Sequence, residues 1–590
     1  MAGAAHGANS PAGHQARPPE DEVVYFVLPD RFENGDTAND RGGLTGDRLT
    51  TGFDPTHKGF YHGGDLRGLT ARLDYIKGLG ATAIWLGPIY RNKPVQGGPG
   101  EESAGYHGYW ITDFTRVDPH FGDEADMHAF VAAAHARGMK VYLDIITNHT
   151  ADVIQYRECE ARPCPYRSKA DYPYSRRGGV HGAAINDGFA GDGLRNMANF
   201  ARLEAPDYAY TPFVSAAEAD IKVPAWLNET LLYHNRGNSD FWGESSLYGD
   251  FVGLDDLMTE NPRVVQGFID IYGAWIEKYR VDGFRIDTAR HVNPEFWQAF
   301  VPAMLTRARS LGIPHFHIFG EVAADGVDVA QLARHTHVDK LPAVLDFGFA
   351  NAVKEVLAKD AGTSVLARLY EDDALYEGGA AAALRLPTFT GNHDFGRLAW
   401  IIRDARPGIG DEELAKRVML GNAMLFLLRG VPVVYYGDEQ GFIGHGVDQA
   451  SRQDMFASQV ASYNDQPLLG TGGSTAVANF DPQHPMYAQI AGLSRLRHDY
   501  LALRRGRQVV RAQARAPGLF AVSRIGNDGR EILVAFNTST TALVSQVEVE
   551  MTSQVFKTVR GPCSVRAGAP GSVEVKLLPL SYVVCVGAPE

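Results

Sequence analysis

The sequence lacks any uninterrupted apolar run of the length, about 18 residues, that a membrane-spanning helix needs. It also lacks an excess of positive charge, since 56 Lys and Arg stand against 70 Asp and Glu, and its densest basic patch is the short stretch Arg504 to Arg507. Such a surface favours neither an anionic membrane nor the phosphate backbone of nucleic acid. We therefore expect a soluble protein, not inserted in a membrane, whose partner is not a nucleic acid.

Cysteine is scarce, with four in 590 residues. Cys159 and Cys164 lie five positions apart in a proline-containing loop, and Cys563 and Cys585 lie near the C-terminus, so two local disulfides would use all four. Such pairing favours a periplasmic or secreted protein. Four reduced thiols in a cytoplasmic protein are the alternative, because spacing alone does not prove a bond.

The N-terminus has neither the basic region nor the apolar region of a signal peptide. Residues Met1 to Glu20 are rich in Ala, Gly, Pro and His without apolar periodicity, which is typical of a disordered leader. We assign residues 1–22 to this leader. Either the protein is cytoplasmic, or an export signal was removed before this numbering begins.

Apolar runs of strand length recur along the chain, and several are separated by segments of helical periodicity. Between the second and third runs, Met127, Phe130, Val131 and Ala134 form one apolar stripe that ends at Gly138. Alternating strands and helices indicate a parallel sheet, and the length allows one barrel with an accessory domain. The eight candidate strands are Val23–Leu28, Ala81–Leu86, Lys140–Ile146, Val281–Ile286, His317–Phe319, Ala343–Phe347, Leu386–Thr390 and Val431–Tyr436.

Two parts of the chain depart from this alternation. Residues 149–253 are rich in Gly, Asn and Tyr with little periodicity, and their length predicts an inserted subdomain rather than a loop. After a helical segment at Pro485–Arg504, alternating apolar segments predict a small antiparallel β domain. The predicted division is a leader at 1–22, a barrel at 23–148 and 254–503, the insert at 149–253 and a β-sandwich at 504–590.

Polar motifs follow four of the candidate strands at the point where each strand ends. Functional groups of parallel barrels project from the carboxyl ends of the strands, so these side chains are expected to converge on one face. The motifs are Asp144-Ile-Ile-Thr-Asn148-His149, Arg285-Ile-Asp287-Thr-Ala-Arg290-His291, Gly320-Glu321 and Asn392-His393-Asp394.

These four motifs, in this order, closely resemble the conserved regions of the α-amylase family, glycoside hydrolase family 13, and the resemblance runs from about Val23 into the C-terminal domain. It implies an α/β fold, namely a (β/α)8 TIM barrel with an inserted B subdomain after strand 3 and a C-terminal antiparallel β domain. It also implies three catalytic carboxylates: Asp287 as nucleophile, Glu321 as general acid/base, and Asp394 as the group that holds sugar hydroxyls while the ring distorts.

The chemistry explains these residue types. Retaining cleavage of a glycosidic bond needs one carboxylate nucleophile and one protonated carboxylic acid. Arg285 lies two residues before Asp287 on one strand, so it points to the same side and would keep Asp287 ionised. Glu321 must stay protonated near neutral pH, which calls for burial or for a nearby negative charge, expected from Asp394.

The same resemblance implies a set of substrate-binding residues. Two histidines would bind hydroxyls of the sugar at the cleaved bond, an aromatic ring would stack under that sugar, and an Arg-His pair would shape the acceptor side, where many members carry Lys in place of this Arg. The alternative for each histidine is a packed ring bonded to a backbone carbonyl, and for two neighbours of the platform it is simple core packing. The residues are His149 and His393, the platform Tyr109 with its neighbours His107 and Trp110, and Arg290 with His291.

Two structural Ca²⁺ sites are indicated, since calcium takes six to eight oxygen ligands. The turn-rich segment Asp30 to Asp40 resembles the N-terminal calcium loop of cyclodextrin glucanotransferases and related amylases, with a solvated turn as the alternative. The second site, between barrel and insert, is common in the family. The implied ligands are Asn34, Asp36, Asn39, Asp40, the Gly63 carbonyl and Asp65 for the first site, and Asn148, Asp256 and the His291 carbonyl for the second.

The activity implied is hydrolysis of α-1,4-linked glucans or maltooligosaccharides. An α-glucan transglycosylase, of the 4-α-glucanotransferase or cyclodextrin-forming type, is the first alternative, because a sugar hydroxyl can resolve the same glycosyl-enzyme intermediate in place of water. A non-catalytic carbohydrate-binding relative is the second. It is disfavoured because Asp287 and Glu321 are both present.

Overall fold

A computed structural model describes residues 13–159 and 164–588 and confirms the predicted parallel barrel. Seven buried parallel strands pair in the order β5-β4-β3-β2-β1-β7-β6. Each is buried along its whole length because the barrel interior covers one face and the surrounding helices cover the other. The strands are β1 (Val24–Val27), β2 (Ala83–Leu86), β3 (Lys140–Ile145), β4 (Gly283–Ile286), β5 (His317–Gly320), β6 (Pro387–Thr388) and β7 (Val431–Tyr435).

The predicted strand Ala343–Phe347 is wrong as a regular strand. Val344 makes a single bridge to Gly320, and a helix already begins at Phe347. Asp346 ends the extended run because its carboxylate caps that helix, accepting the Phe349 backbone N–H at 2.9 Å. The segment still closes the ring, since its backbone donates to the Gly320 carbonyl at the end of β5 and to the Pro387 carbonyl in β6, at 2.9 Å in both cases.

Helices connect the strands and cover the outside of the barrel. The predicted crossover helix is present at Glu124–Ala136, where Asp123 and Asp126 form a capping box at its start. The predicted helix Pro485–Arg504 is interrupted at Tyr500. Other helices of six or more residues are Leu66–Ala71, Leu73–Gly78, Pro262–Tyr279, Pro294–Ser310, Val329–His337, Phe347–Ala358, Ser364–Glu371, Leu398–Ala405 and Asp411–Leu427, and the interrupted segment gives Pro485–Asp499 and Leu501–Arg505.

The long segment after β3 contains little regular structure. One two-stranded pair joins Gln155–Tyr156 to Pro212–Phe213, and a small aromatic core surrounds Tyr174 and Tyr208. Cys159 and Cys164 form a disulfide in this segment. The predicted inserted subdomain therefore holds its shape through side-chain packing and loop contacts more than through strands or helices.

The C-terminal part is antiparallel, as predicted. A five-stranded sheet and a two-stranded sheet pack around an apolar core of their own, and a disulfide joins Cys563 to Cys585. The strands are Arg507–Ala512, Leu519–Ile525, Glu531–Asn537, Leu543–Glu548, Val555–Arg560, Ser572–Leu577 and Ser581–Ala588.

The predicted disordered leader is wrong for residues 13–22, and its first twelve residues lie outside those described. Arg17 explains the difference, because its guanidinium pairs with Glu22 and donates to the carbonyls of Thr82 and Gly138. These polar contacts, which have no apolar periodicity, hold residues 13–22 against the barrel. Among the described residues, none of the helices combines the length and the apolar character needed to cross a membrane.

Candidate active site

The carboxyl end of β4 sets the geometry of the site. Arg285 and Asp287 lie two positions apart and so project to the same side, as expected for an extended strand. The Asp287 backbone N–H donates to the Ile145 carbonyl at 2.9 Å, and the Glu321 backbone N–H donates to the Ile286 carbonyl at 2.8 Å. These backbone hydrogen bonds between neighbouring strand ends thus fix the main-chain positions from which the Asp287 and Glu321 side chains project.

One buried guanidinium contacts three carboxylates. The Arg285 Nη1 atom lies 2.7 Å from Asp144 Oδ1 and 2.9 Å from Asp287 Oδ1, and the Arg285 Nη2 atom lies 2.8 Å from Glu321 Oε2. Arg285 is therefore shared by both candidate catalytic groups and by Asp144, rather than serving Asp287 alone as the sequence suggested. Asp144 was not predicted as a site residue, although it opens the motif that ends in His149.

The three carboxylates lie close enough for the negative charge of one to raise the pKa of another. Burial raises the pKa of Asp287 and of Glu321 to about 7 each, and Arg285 opposes the rise in both. Burial likewise raises the pKa of Asp144 to about 6. Burial and the charge of Asp287 contribute more to the raised pKa of Glu321 than Asp394 does. Asp394 raises the pKa of Glu321 as expected, but Asp287, which was not expected to contribute, is the larger source of negative charge.

A chain of contacts joins the predicted aromatic platform to Asp394. The Tyr109 hydroxyl lies 2.8 Å from His393 Nε2 and donates to Asp144 Oδ2 at 3.2 Å. His393 Nε2 in turn lies 3.4 Å from Asp394 Oδ2. Arg452 holds the other oxygen of Asp394 at 3.1 Å and donates to the His393 carbonyl. Asp394 is much more exposed than the other two carboxylates, with 38 % of its side chain accessible against 9 % for Asp287 and Glu321.

The site opens into a cavity of about 600 Å³, a volume suited to a short oligosaccharide. Of the eleven residues predicted for catalysis or sugar binding, only Arg285 and His393 are not on its wall. Both are fully buried, Arg285 behind the carboxylates and His393 behind Tyr109. The predicted residues on the wall are Asp287, Glu321, Asp394, His149, Tyr109, His107, Trp110, Arg290 and His291.

His149 lies on the cavity wall as a neutral imidazole, because burial lowers its pKa to about 3. Its ring stacks on Phe251 at a centroid distance of 5.6 Å. Its Nε2 atom is buried without a hydrogen-bond partner among the described residues. A free imidazole nitrogen on a cavity wall is suited to a sugar hydroxyl.

Several wall residues were not predicted. Most come from the loops after β2 and β7 and from the insert, which carry no recognisable motif and whose positions depend on tertiary packing, whereas Phe395 directly follows the predicted Asp394. Arg452 is the one with the clearest role, through its contacts to Asp394 and His393. The others include Gln96, Glu101, Asp152, Phe251, Phe395, Asp448 and Gln449.

Arg290 joins the insert to the barrel at one side of the cavity. Its Nη1 atom donates to the Ala323 carbonyl at 2.6 Å, just after Glu321, and its Nη2 atom donates to the Phe241 carbonyl at 3.2 Å. Phe241 packs edge-on against Phe251 and His291. The planar guanidinium thus spans two backbone segments, a geometry that the single ammonium of Lys cannot reproduce.

The predicted N-terminal calcium loop offers a partial ligand set. Asn34 Oδ1 and Asn39 Oδ1 are buried without a hydrogen-bond partner among the described residues, and Asn34 Nδ2 donates to Asp40 Oδ1 at 2.8 Å. A Cβ at Gly63 would lie 2.7 Å from the same Asp40 oxygen, so only glycine fits there. Unpartnered oxygens beside a carboxylate suit a hard cation, and the loop therefore fits Ca²⁺.

Two predicted ligands of this loop are already occupied. The Asp65 carboxylate caps a helix through the Gly68 N–H and accepts further bonds from Gly35, Asp36 and Asn39. The Asp36 carboxylate pairs with Arg67 at 2.6 Å. The Asp36 and Asp65 carboxylates therefore stabilise the loop through these contacts.

At the predicted second site the fit is poorer. The backbone of Leu257 donates to the Asn148 carbonyl, which brings Asn148 close to Asp256, and Asn148 Oδ1 is buried without a partner among the described residues. The Asp256 carboxylate, however, bonds His234 Nδ1 at 2.6 Å. Because the His234 imidazole already bonds the Asp256 carboxylate, Asp256 and Asn148 do not fit a calcium site.

Comparison with known proteins gives one family and several relatives. The family model described as "Alpha amylase, catalytic domain" matches residues 26–471. The chain is 45 % identical over 569 residues to an "Alpha-amylase" of Streptomyces lividans, covering 96 % of this chain and 61 % of that protein. The chain thus spans less than two thirds of that relative.

Two further relatives extend the comparison. The chain is 25 % identical over 570 residues to a "Cyclomaltodextrin glucanotransferase" of Klebsiella oxytoca, covering 92 % of this chain and 74 % of that protein. A solved α-amylase from Anoxybacillus superposes with a TM-score of 0.69 at 26 % identity, covering 97 % of this chain and 99 % of that one.

Proposed function

The chain belongs to the α-amylase family, and on that premise we propose that it is a retaining glycoside hydrolase acting on α-1,4-linked glucans or maltooligosaccharides. One observation carries the proposal: a single buried guanidinium, that of Arg285, contacts both Asp287 and Glu321 at the wall of a cavity of oligosaccharide size. Retaining cleavage requires two carboxyl groups close together at one bond.

In the first half-reaction, an oxygen of ionised Asp287 attacks the anomeric carbon of the bound sugar. The bond from that carbon to the leaving sugar breaks, and Glu321 gives its proton to the departing oxygen. This step requires that Glu321 carries a proton while Asp287 carries none. The raised pKa values of Asp287 and Glu321, about 7 each, support a pair that holds one proton near neutral pH.

In the second half-reaction, the Glu321 carboxylate takes a proton from water. The oxygen of that deprotonated water attacks the anomeric carbon. The bond between this carbon and Asp287 breaks, and Asp287 leaves as a carboxylate. The Thr288 backbone N–H donates to Glu321 Oε2 at 3.1 Å and holds that side chain in place in both half-reactions. The configuration at the anomeric carbon is inverted twice and is therefore retained.

The remaining wall residues hold the sugar. Asp394 accepts bonds from sugar hydroxyls as the ring flattens, His149 Nε2 contributes a further bond, and Tyr109 stacks under the sugar face. His393 acts through Tyr109 and Asp394, which it contacts at 2.8 and 3.4 Å, rather than from the cavity wall.

Transfer to a sugar acceptor is the second candidate activity. The same glycosyl-enzyme serves both reactions, so the outcome depends on whether water or a sugar hydroxyl occupies the acceptor side. A cyclomaltodextrin glucanotransferase among the relatives favours keeping this candidate. Arg290, which joins the insert to the segment after Glu321, is the residue proposed to govern the balance.

A structural Ca²⁺ is proposed at the N-terminal loop, held by Asn34, Asn39, Asp40 and the Gly63 carbonyl. The unpartnered oxygens of Asn34 and Asn39 support it. The ion takes no part in the chemistry, because two carboxylates suffice for hydrolysis. At the barrel–insert junction, the ring of His234 occupies the Asp256 carboxylate that the family pattern gives to a second ion.

The two disulfides support a periplasmic or secreted location, since such bonds persist in oxidising compartments. Enzymatic measurements should therefore be made on protein kept oxidised.

Product analysis tests the proposed function. The protein and its Asp287→Asn variant are incubated with defined maltooligosaccharides and a soluble α-glucan, and products are separated by chromatography. Shorter sugars alone, absent with the variant, support hydrolysis. Longer or cyclic products instead assign transglycosylation. No turnover of any α-glucan by the unmodified protein contradicts the substrate class.

A further inference from the structure

A second group of functional side chains lies at the opposite end of the barrel from the cavity. Asp282 immediately precedes β4, whereas Asp287 follows it, so the two carboxylates belong to opposite ends of one strand. His135 lies near the end of the helix Glu124–Ala136. His14 reaches both of them from the packed N-terminal segment 13–22.

The three side chains present potential ligand atoms to one small volume. One ring nitrogen of each histidine and one oxygen of Asp282 all lie within 4.8 Å of one another. The His135 Nε2 atom lies 2.8 Å from Asp282 Oδ2, and the two imidazole rings are stacked with centroids 4.3 Å apart. Imidazole and carboxylate together are a ligand set for zinc and related transition metals, whereas calcium takes oxygen ligands.

Two polar atoms of this cluster make no hydrogen bond within the described part of the chain. His14 Nε2 and Asp282 Oδ1 are each buried, and neither has a hydrogen-bond partner among the described residues. His14 is 9 % exposed and Asp282 is fully buried. An unsatisfied buried polar atom costs on the order of 1–3 kcal/mol, so two such atoms within one three-residue cluster point to a group that binds there.

The surrounding charges are compatible with a bound cation. Arg17 and Lys140 lie near His14, but both pair with Glu22, at 3.0 and 3.1 Å, which offsets their charge. A neutral imidazole offers one ring nitrogen as a metal ligand, and the buried His14 Nε2 atom has no hydrogen-bond partner among the described residues.

We propose that His14, His135 and Asp282 bind one divalent transition-metal ion of the Zn²⁺ type and thereby fasten the N-terminal segment to the base of the barrel. Three protein ligands leave a fourth tetrahedral position for solvent. Zinc binds imidazole nitrogens and carboxylate oxygens in their deprotonated form, so any proton held on the ligand atoms is released on binding. The site is remote from the cavity and is structural, independent of the proposed hydrolysis.

Zinc titration of the full chain tests the proposal. The protein is stripped of transition metals, saturated with Ca²⁺, and titrated with ZnCl₂ in a calorimeter, in two buffers of different ionisation enthalpy to count released protons. His14→Gln removes the imidazole but keeps a polar side chain, and His14→Ala is a second variant. His128→Gln is the matched control, because His128 lies on the same helix as His135 but packs on Tyr279.

One Zn²⁺ per chain is expected for the unmodified protein and for His128→Gln, with binding at least about tenfold weaker in both His14 variants. Zinc should also raise the melting temperature of the unmodified protein but not of the His14 variants. Equal zinc binding by His14→Gln and His128→Gln overturns the proposal, and so does the absence of zinc binding by the unmodified protein.

Discussion

Arg285 Nη2 lies 2.8 Å from Glu321 Oε2, although Arg285 belongs to the strand of the nucleophile and Glu321 follows the next strand. The two groups proposed as nucleophile and acid are therefore held by one cation. Any change to that guanidinium should disturb both half-reactions at once.

The Arg285→Lys variant is expected to retain the charge but lose the simultaneous contacts to Asp287 and Glu321. We predict a fall in kcat of about 10² to 10³, with a much smaller change in KM, because the loss acts on charges that develop in the transition state. Steady-state kinetics on maltoheptaose measures this. A change confined to KM would show that Arg285 only helps to bind the sugar.

The pH dependence of kcat/KM should be bell-shaped around neutral pH. Below the pKa of the pair, Asp287 gains a proton and cannot attack; above it, Glu321 loses the proton that it must donate. Both pKa values are raised to about 7 in the first instance by burial. A pH profile of hydrolysis measures the two limbs, and a flat profile from pH 5 to 9 contradicts the assignment.

The Asp394→Asn variant should move the alkaline limb of that profile to lower pH. Asp394 is one of the negative charges that raise the pKa of Glu321, so its neutralisation lets Glu321 ionise earlier. The rate itself should also fall, since Asp394 holds sugar hydroxyls. If the alkaline limb does not move, the charge of Asp394 does not raise the pKa of Glu321.

The Arg290→Lys variant should change the partition between hydrolysis and transfer. Loss of the bonds to the carbonyls of Ala323 and Phe241 loosens the insert beside Glu321 and admits water to the acceptor side. We predict a several-fold drop in the ratio of transfer to hydrolysis products, with hydrolysis of an α-glucosyl fluoride little changed. Product ratios at high maltotriose concentration provide the measurement. An unchanged ratio would show that Arg290 does not influence the acceptor side.

Removal of calcium should lower the melting temperature, and added Ca²⁺ should restore it. The expected stabilisation is about 2.7 kcal/mol when free Ca²⁺ is one hundred times its dissociation constant. Asp40→Asn should abolish this response, because Asp40 supplies the charge beside the free oxygens of Asn34 and Asn39. Asp54→Asn is the control, because Asp54 lies outside the predicted ligand set and pairs with Arg48 at 2.9 Å. A Ca²⁺ response that survives in Asp40→Asn places the ion elsewhere.

The parallel barrel and the polar residues at the carboxyl ends of its strands could be predicted from the sequence, because both depend on local sequence patterns. Arg285 and Asp287 share a face through the two-residue period of a strand, and each motif follows its own apolar run. The same local rules failed at Ala343–Phe347, where the run looks like a strand but Asp346 caps the next helix and ends it early.

Other parts of the site depend on contacts between distant segments. Arg452 reaches Asp394 from a loop with no motif, and the position of its guanidinium follows from the folded loop alone. The histidines show the same limit: His149 is on the wall, whereas His393 lies behind Tyr109, although both occupy similar places in their motifs. The ordered part of the leader was also missed, because Arg17 binds through polar contacts that leave no hydrophobic pattern.

Trapping of the covalent intermediate tests the central claim most directly. A Glu321→Gln variant is incubated with an α-glucosyl fluoride, whose leaving group needs no acid, so that the glycosyl-enzyme forms and, lacking its base, accumulates. Peptide mapping by mass spectrometry should then locate one glucosyl group on Asp287, and an Asp287→Asn change in the same background should abolish it. A glucosyl group on any other residue, or none while the unmodified protein turns over the same fluoride, would contradict the proposed mechanism.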